Sequence, residues 1–142
     1  MKILVINGPN LNLLGVREPD IYGAQTLRDL EEMIRAHCVQ IGAEVSFFQS
    51  NHEGAIVDAI QGAYGNIDAM VINPAAYTHT SVAIPDAIKA VGIPAVEVHL
   101  SDIENREPFR RHSYTRDACV ATIAGKHFVG YIEAIERLRG EM

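Results

Sequence analysis

The chain has 142 residues and a mass of 15.6 kDa, a length that suits one compact hydrophobic core. Its 48% hydrophobic and 21% charged content, with a mean hydropathy of +0.04, excludes a disordered chain. Twelve Lys plus Arg against 18 Asp plus Glu leave a formal charge of −6 and a pI near 5.4, which excludes a general nucleic-acid binder.

Residues 1–6 (MKILVI) predict a strand over Ile3–Ile6. The polar Asn7, Gly8, Pro9 and Asn10 stop this run far short of a signal core or a membrane helix, so the fold is expected to start here. Thr26 with Asp29 predicts a capping box. Behind it Leu27, Leu30, Ile34, Cys38 and Ile41 recur at helical spacing up to Gly42. A second strand follows over Val45–Phe48. Ser50 with Glu53 predicts a second box, ahead of Ile56, Val57, Ile60 and Tyr64. The third strand spans Ala69–Ile72, and a helix runs from about Ser81 to Val91, ending at Gly92. Pro85 is tolerable there only near the first turn. A fourth strand (Ala95–Val98) and a fifth (Cys119–Ile123) precede a last helix with Phe128, Ile132, Ile135 and Leu138 on one stripe. No repeat, low-complexity tract or linker interrupts the pattern, so residues 1–142 are expected to form a single domain.

Nearly continuous apolar strands alternating with helices predict an α/β fold. The simplest arrangement is a flavodoxin-like three-layer sandwich: a five-stranded parallel sheet in order 2-1-3-4-5 with helices on both faces. Ligands of such sheets sit beyond the carboxyl ends of the strands. Four of those ends carry polar segments: 7–12 with the loop 15–23, 49–54, 73–80 and 97–101.

Glu97 and His99 lie two apart on a strand and so share a face. A carboxylate beside an imidazole fixes its tautomer and favours its protonated form, making a proton donor near neutrality. A purely structural pair, or a metal site completed by His79 or His52, are the other readings. Arg17 and Tyr22 lie in a loop bounded by Gly15 and Gly23, a natural lid. A guanidinium would favour the Tyr22 phenolate; otherwise the ring packs and Arg17 is a solvated charge. Residues 105–116 carry Arg106, Arg110, Arg111 and Arg116 against Glu107, which suits an anionic ligand or a surface contact. Walker A and G-x-G-x-x-G sequences are absent, and so is the aspartate a phospho-receiver needs after strand 3. Cys38 and Cys119 stand in apolar contexts, which fits a cytoplasmic protein without a disulfide scaffold.

The segments NGPNLNLLGVREPDIYG (7–23), QSNHEG (49–54), NPAAYTHTSVAI (73–84), EVHLS (97–101) and REPFRRHSY (106–114) together resemble the type II 3-dehydroquinate dehydratases. The resemblance covers nearly the whole chain, in family order and spacing. It implies dehydration of 3-dehydroquinate to 3-dehydroshikimate in the shikimate pathway, by anti elimination through an enolate, with no cofactor and no metal. It casts Tyr22 as the base, kept ionised by the lid residue Arg17, and His99 as the acid that protonates the departing hydroxyl, oriented by Glu97. Asn10 would stabilise the enolate, directly or through an ordered water. Asn73, His79, Arg110, and the amides of Leu100 and Ser101 with the Ser101 hydroxyl would contact substrate. Asp86 would reach the site of a neighbouring subunit in a homododecamer, a tetramer of trimers. Ala75, Pro85, Asp102, Lys126 and His127 depart from the family pattern, and none of them replaces a catalytic position. A binding module that had lost the reaction would show a lesion among Tyr22, Arg17 and His99, and none is present. Another lyase or isomerase of a small hydroxy-acid is the remaining rival.

Overall fold

The computed structural model describes residues 1–16, 20 and 24–142. Five parallel strands form one sheet in the order β2-β1-β3-β4-β5, as the alternating pattern requires. They are β1 (Lys2–Asn7), β2 (Glu44–Gln49), β3 (Ala69–Asn73), β4 (Ala95–His99) and β5 (Ala121–Ala124). The helices are α1 (Leu27–Ile41), α2 (Glu53–Gly62), α3 (Ala83–Val91) and α4 (Val129–Arg139).

Side-chain alternation along the strands divides the interior into two cores. On one face Ile3, Val5, Ala69, Val71, Val96 and Val98 pack against Leu30 and Ile34 of α1 and Tyr131 and Ile135 of α4. On the other, Leu4, Ile6, Met70, Ile72 and Ala95 pack against Ile56 and Ile60 of α2 and Ile84 and Ile88 of α3. Each fully buried Ile or Leu contributes about 1.5–3 kcal/mol, so these two layers hold the sandwich together. The central strands β3 and β4 are buried throughout, whereas the edge strands β2 and β5 are only partly buried. Continuous apolar runs belong to the middle of the sheet.

Local signals mostly hold. Thr26 accepts from the Asp29 N–H and the Asp29 side chain accepts from the Thr26 N–H, closing the expected box. The Ser50 box does not form: His52 is the N-cap of α2, and Ser50 Oγ instead accepts from the His52 N–H at 3.0 Å. Ser50 is held two residues early because its own N–H prolongs the β1–β2 pairing by donating to Asn7 O. Helix α3 begins at Ala83, with Ser81 Oγ accepting from the Ile84 N–H, so Pro85 falls in the first turn. Strand β5 begins at Ala121, since Cys119 still closes the short turn Thr115–Ala118.

Candidate active site

Gln49, Asn7 and Asn73 end β2, β1 and β3 in register, a polar row across the carboxyl edge of the sheet. Strand β4 is registered by Ile72 against Glu97, so it runs past that row and carries His99 above it. Over this edge lies a cavity of about 170 Å³. Asn10, Asn73, His79, His99, Leu100, Ser101 and Arg110 all line it, with Leu11, Leu14 and Ile103 as apolar wall. Glu97 does not reach the cavity and lies behind His99. Asp86 is exposed on α3 and does not line the cavity of its own chain. Arg17 and Tyr22 fall outside the described residues.

The floor of the cavity is a charged cluster. Glu97 is 0% exposed and its Oε2 meets His99 Nε2, as their spacing on one strand predicts. The same oxygen accepts from Thr78 Oγ1 at 2.8 Å and Ser113 Oγ at 2.7 Å, while Oε1 accepts from Thr122 Oγ1 at 3.2 Å. Burial alone would push the Glu97 carboxyl up. The His99 hydrogen bond and charge, with the Ser113 and Thr78 hydroxyls, outweigh it and hold Glu97 below the usual carboxylate range. A buried anion is thus kept ionised and tethers the imidazole at the cavity base.

A second, neutral cluster sits on the opposite face of the same edge. Tyr131 of α4 is fully buried; its Oη donates to Asn7 Oδ1 at 2.6 Å and accepts from Asn73 Nδ2 at 2.9 Å. Asn73 Oδ1 accepts from the Ala75 N–H at 3.0 Å. Ala75 stands at φ +53°, a left-handed conformation that favours glycine. Beside it Gly8 is required by close approach, because a Cβ there would lie 2.4 Å from Pro74 O.

The rim is polar and half-open. His79 Nδ1 donates to His112 O at 2.7 Å. Burial, together with the nearby His99 and Arg110 charges, holds the His79 imidazole below its usual value, outweighing the His112 hydrogen bond and the Glu97 charge. It is therefore neutral at pH 7 with Nε2 left as an acceptor. Arg110 Nε lies 3.1 Å from Glu107 Oε2, an ion pair without hydrogen-bond alignment. Arg106 Nη1 donates to Ser101 Oγ at 3.2 Å and lines the cavity as well. Asp102 is engaged locally, accepting from the Glu104 N–H and from Asn105 Nδ2.

Thr78, Ser113, Thr122 and Tyr131 carry the two clusters, and no local motif singles them out in the sequence. Thr78 lies inside a polar strand-end segment and Ser113 inside the arginine-rich one, so the sequence marks the segments but not the contacts. Among the described residues no group of three or more His, Cys, Asp or Glu could hold a metal ion, and His52 is exposed at the start of α2. Cys38 and Cys119 are free; burial pushes both thiols up, Cys119 to about 12 with the Glu97 charge adding to the effect. Neither is an activated nucleophile. Among the described residues, no helix is long and apolar enough to cross a membrane.

Residues 1–139 match the family described as dehydroquinase class II. A catabolic 3-dehydroquinase from Neosartorya fischeri is 57% identical over 137 residues, covering 96% of this chain and 91% of its own. The second catabolic 3-dehydroquinase of Aspergillus terreus is 52% identical over 141 residues, covering 99% and 96%. The crystal structure of a type II dehydroquinase from Butyrivibrio crossotus superposes with a TM-score of 0.96 at 52% identity, over 98% of this chain and 97% of that one. The Propionibacterium acnes enzyme gives 0.93 at 40% identity, over 98% and 96%. With the doubly wound sheet and the tethered histidine at its carboxyl edge already in place, these matches are decisive: the chain belongs to the class II dehydroquinase family.

Proposed function

We propose that the chain dehydrates 3-dehydroquinate to 3-dehydroshikimate, the third step of the shikimate pathway, by anti elimination through an enolate and without cofactor or metal. The observation that carries this reading is the ionised, buried Glu97 tethering His99 at the base of a small polar cavity. Tyr22, held as phenolate by Arg17, takes the proton alpha to the ketone. The electron pair left behind forms the enolate, which Asn10 stabilises directly or through a water. As the enolate collapses the carbon–oxygen bond breaks, and His99 gives its proton to the departing hydroxyl, which leaves as water. Glu97 balances the imidazolium charge until that transfer and holds the neutral ring through Nε2 afterwards.

The rest of the lining suits a ring bearing a carboxylate and several hydroxyls. His79 Nε2 accepts from a hydroxyl, and Asn73 and the Ser101 hydroxyl supply further hydrogen bonds. Arg110 and the Leu100 and Ser101 amides take anionic or carbonyl oxygens. Asp86, exposed and away from the strand-end cavity of its own chain, completes the site of a neighbouring subunit in a homododecamer, a tetramer of trimers. Residues 1–142 act as one catalytic domain. Two free thiols and no disulfide in the described residues fit a cytoplasmic location.

The product is a conjugated enone and the substrate is not, so turnover registers as new near-ultraviolet absorbance. Chelator-treated protein mixed with 3-dehydroquinate is expected to show that rise, and Tyr22→Phe nearly to abolish it. A flat trace from assembled wild-type protein would leave a binding module in place of an enzyme.

A further inference from the structure

The neutral cluster has a built-in direction. A backbone N–H can only donate, so the Ala75 amide compels Asn73 to present Oδ1 to it, at 3.0 Å. That turns Asn73 Nδ2 toward Tyr131, whose oxygen must accept at 2.9 Å. The single phenolic proton is then committed to Asn7 Oδ1, at 2.6 Å. Turning either amide over would set donor against donor inside a site where Asn7 and Tyr131 are 1% and 0% exposed. Burial pushes the Tyr131 phenol up, so this donor keeps its proton at neutral pH.

Of the three, only Asn73 lines the cavity. We propose that Tyr131 is a positioning residue for substrate recognition: anchored by Asn7, it locks the Asn73 carboxamide in one rotamer and one flip state, so that Asn73 meets the substrate with a fixed donor pattern. This rests on the reading of Asn73 as a substrate contact, and it gives a role to a residue of the last helix that never touches the ligand. Preorganisation of this kind lowers the cost of binding, because no rotamer has to be frozen when substrate arrives.

The test is a cycle of Tyr131→Phe and Asn73→Ala, each assayed for kcat and KM with 3-dehydroquinate. The expected result is a roughly 3- to 10-fold rise in KM for Tyr131→Phe with a smaller change in kcat. In the Asn73→Ala background the same substitution should change KM by less than about 2-fold, because the residue it acts through is gone. A merely structural tyrosine would lower Tm while leaving KM alone, or would act additively with Asn73→Ala; either overturns the proposal. Should Tyr131→Phe fold poorly, Asn7→Ala removes the acceptor and leaves Tyr131 in place, and an unchanged KM there is equally damaging. If wild type shows no dehydration, the reading of the activity fails by itself. A crystal structure of Tyr131→Phe then decides the positioning role: Asn73 leaving its hydrogen bond to Ala75 supports it, and Asn73 unmoved overturns it.

Discussion

The two polar clusters at the carboxyl edge of the sheet differ by one element of chemistry. Asn7, Tyr131 and Asn73 form a neutral chain on the α1/α4 face, and Glu97, His99, Thr78, Ser113 and Thr122 form a charged one on the α2/α3 face. Both are buried and both are satisfied, as interior polar groups must be. The neutral chain can hold a geometry but cannot supply a proton near pH 7, since its only acid is a phenol pushed upward by burial. The charged cluster can do both. Its cost is a desolvated carboxylate, and several hydrogen bonds are spent on that carboxylate. The comparison separates orientation, which neutral donors and acceptors achieve, from proton transfer, which requires an ion.

Removing the ion should produce the largest effect. Glu97→Gln keeps the shape and loses the charge, so kcat is expected to fall on the order of 10²–10³-fold in the enone assay. A near-normal kcat would reduce the charged cluster to scaffolding. The same variant carries a pH signature. Glu97 is held below its unfolded value, so its stabilisation is present above roughly pH 4.3 and is lost as pH falls through the lower folded value. The Tm difference between wild type and Glu97→Gln should therefore narrow on acidification below about pH 4, and thermal melts across pH 3–7 check it.

Weakening the ion's support comes next. Thr78→Val conserves volume and deletes one of the hydrogen bonds to Glu97 Oε2, which for a charged acceptor contributes about 1.5–3 kcal/mol. Denaturant unfolding should register that loss, and kcat should drop by about 10-fold as the carboxyl rises. Retained stability would mean that the hydrogen bonds from Ser113 and Thr122 already satisfy the carboxylate without Thr78.

The smallest effect belongs to the neutral side. Ala75→Gly relieves the left-handed backbone while keeping the N–H that orients Asn73. Part of that relief is offset by the unfolded-state entropy of glycine, leaving a gain of no more than about 1 kcal/mol with kcat and KM unchanged. A fall in Tm would show that the Ala75 methyl packs well enough to outweigh its conformation.

Whatever depends on near neighbours is legible in the amino-acid sequence. Strand and helix periods, the Thr26–Asp29 box and the common face of Glu97 and His99 follow from residues within a few positions of one another, where chain geometry leaves little choice. Its polar strand ends also point to the edge over which the cavity lies, because a parallel α/β sheet has only one edge where such loops converge. The Ser50 box failed because sheet pairing, which holds Ser50 to Asn7, overruled the local signal. The hydrogen-bond partners are fixed by long-range packing instead. Thr78, Ser113 and Thr122 reach Glu97 from 16 to 25 positions away, and Tyr131 reaches Asn7 from 124. A hydroxyl or a phenol carries no sequence mark of the distant group it will meet. Which buried donor finds which buried acceptor is set by how the layers pack, and by the cost of leaving either one alone.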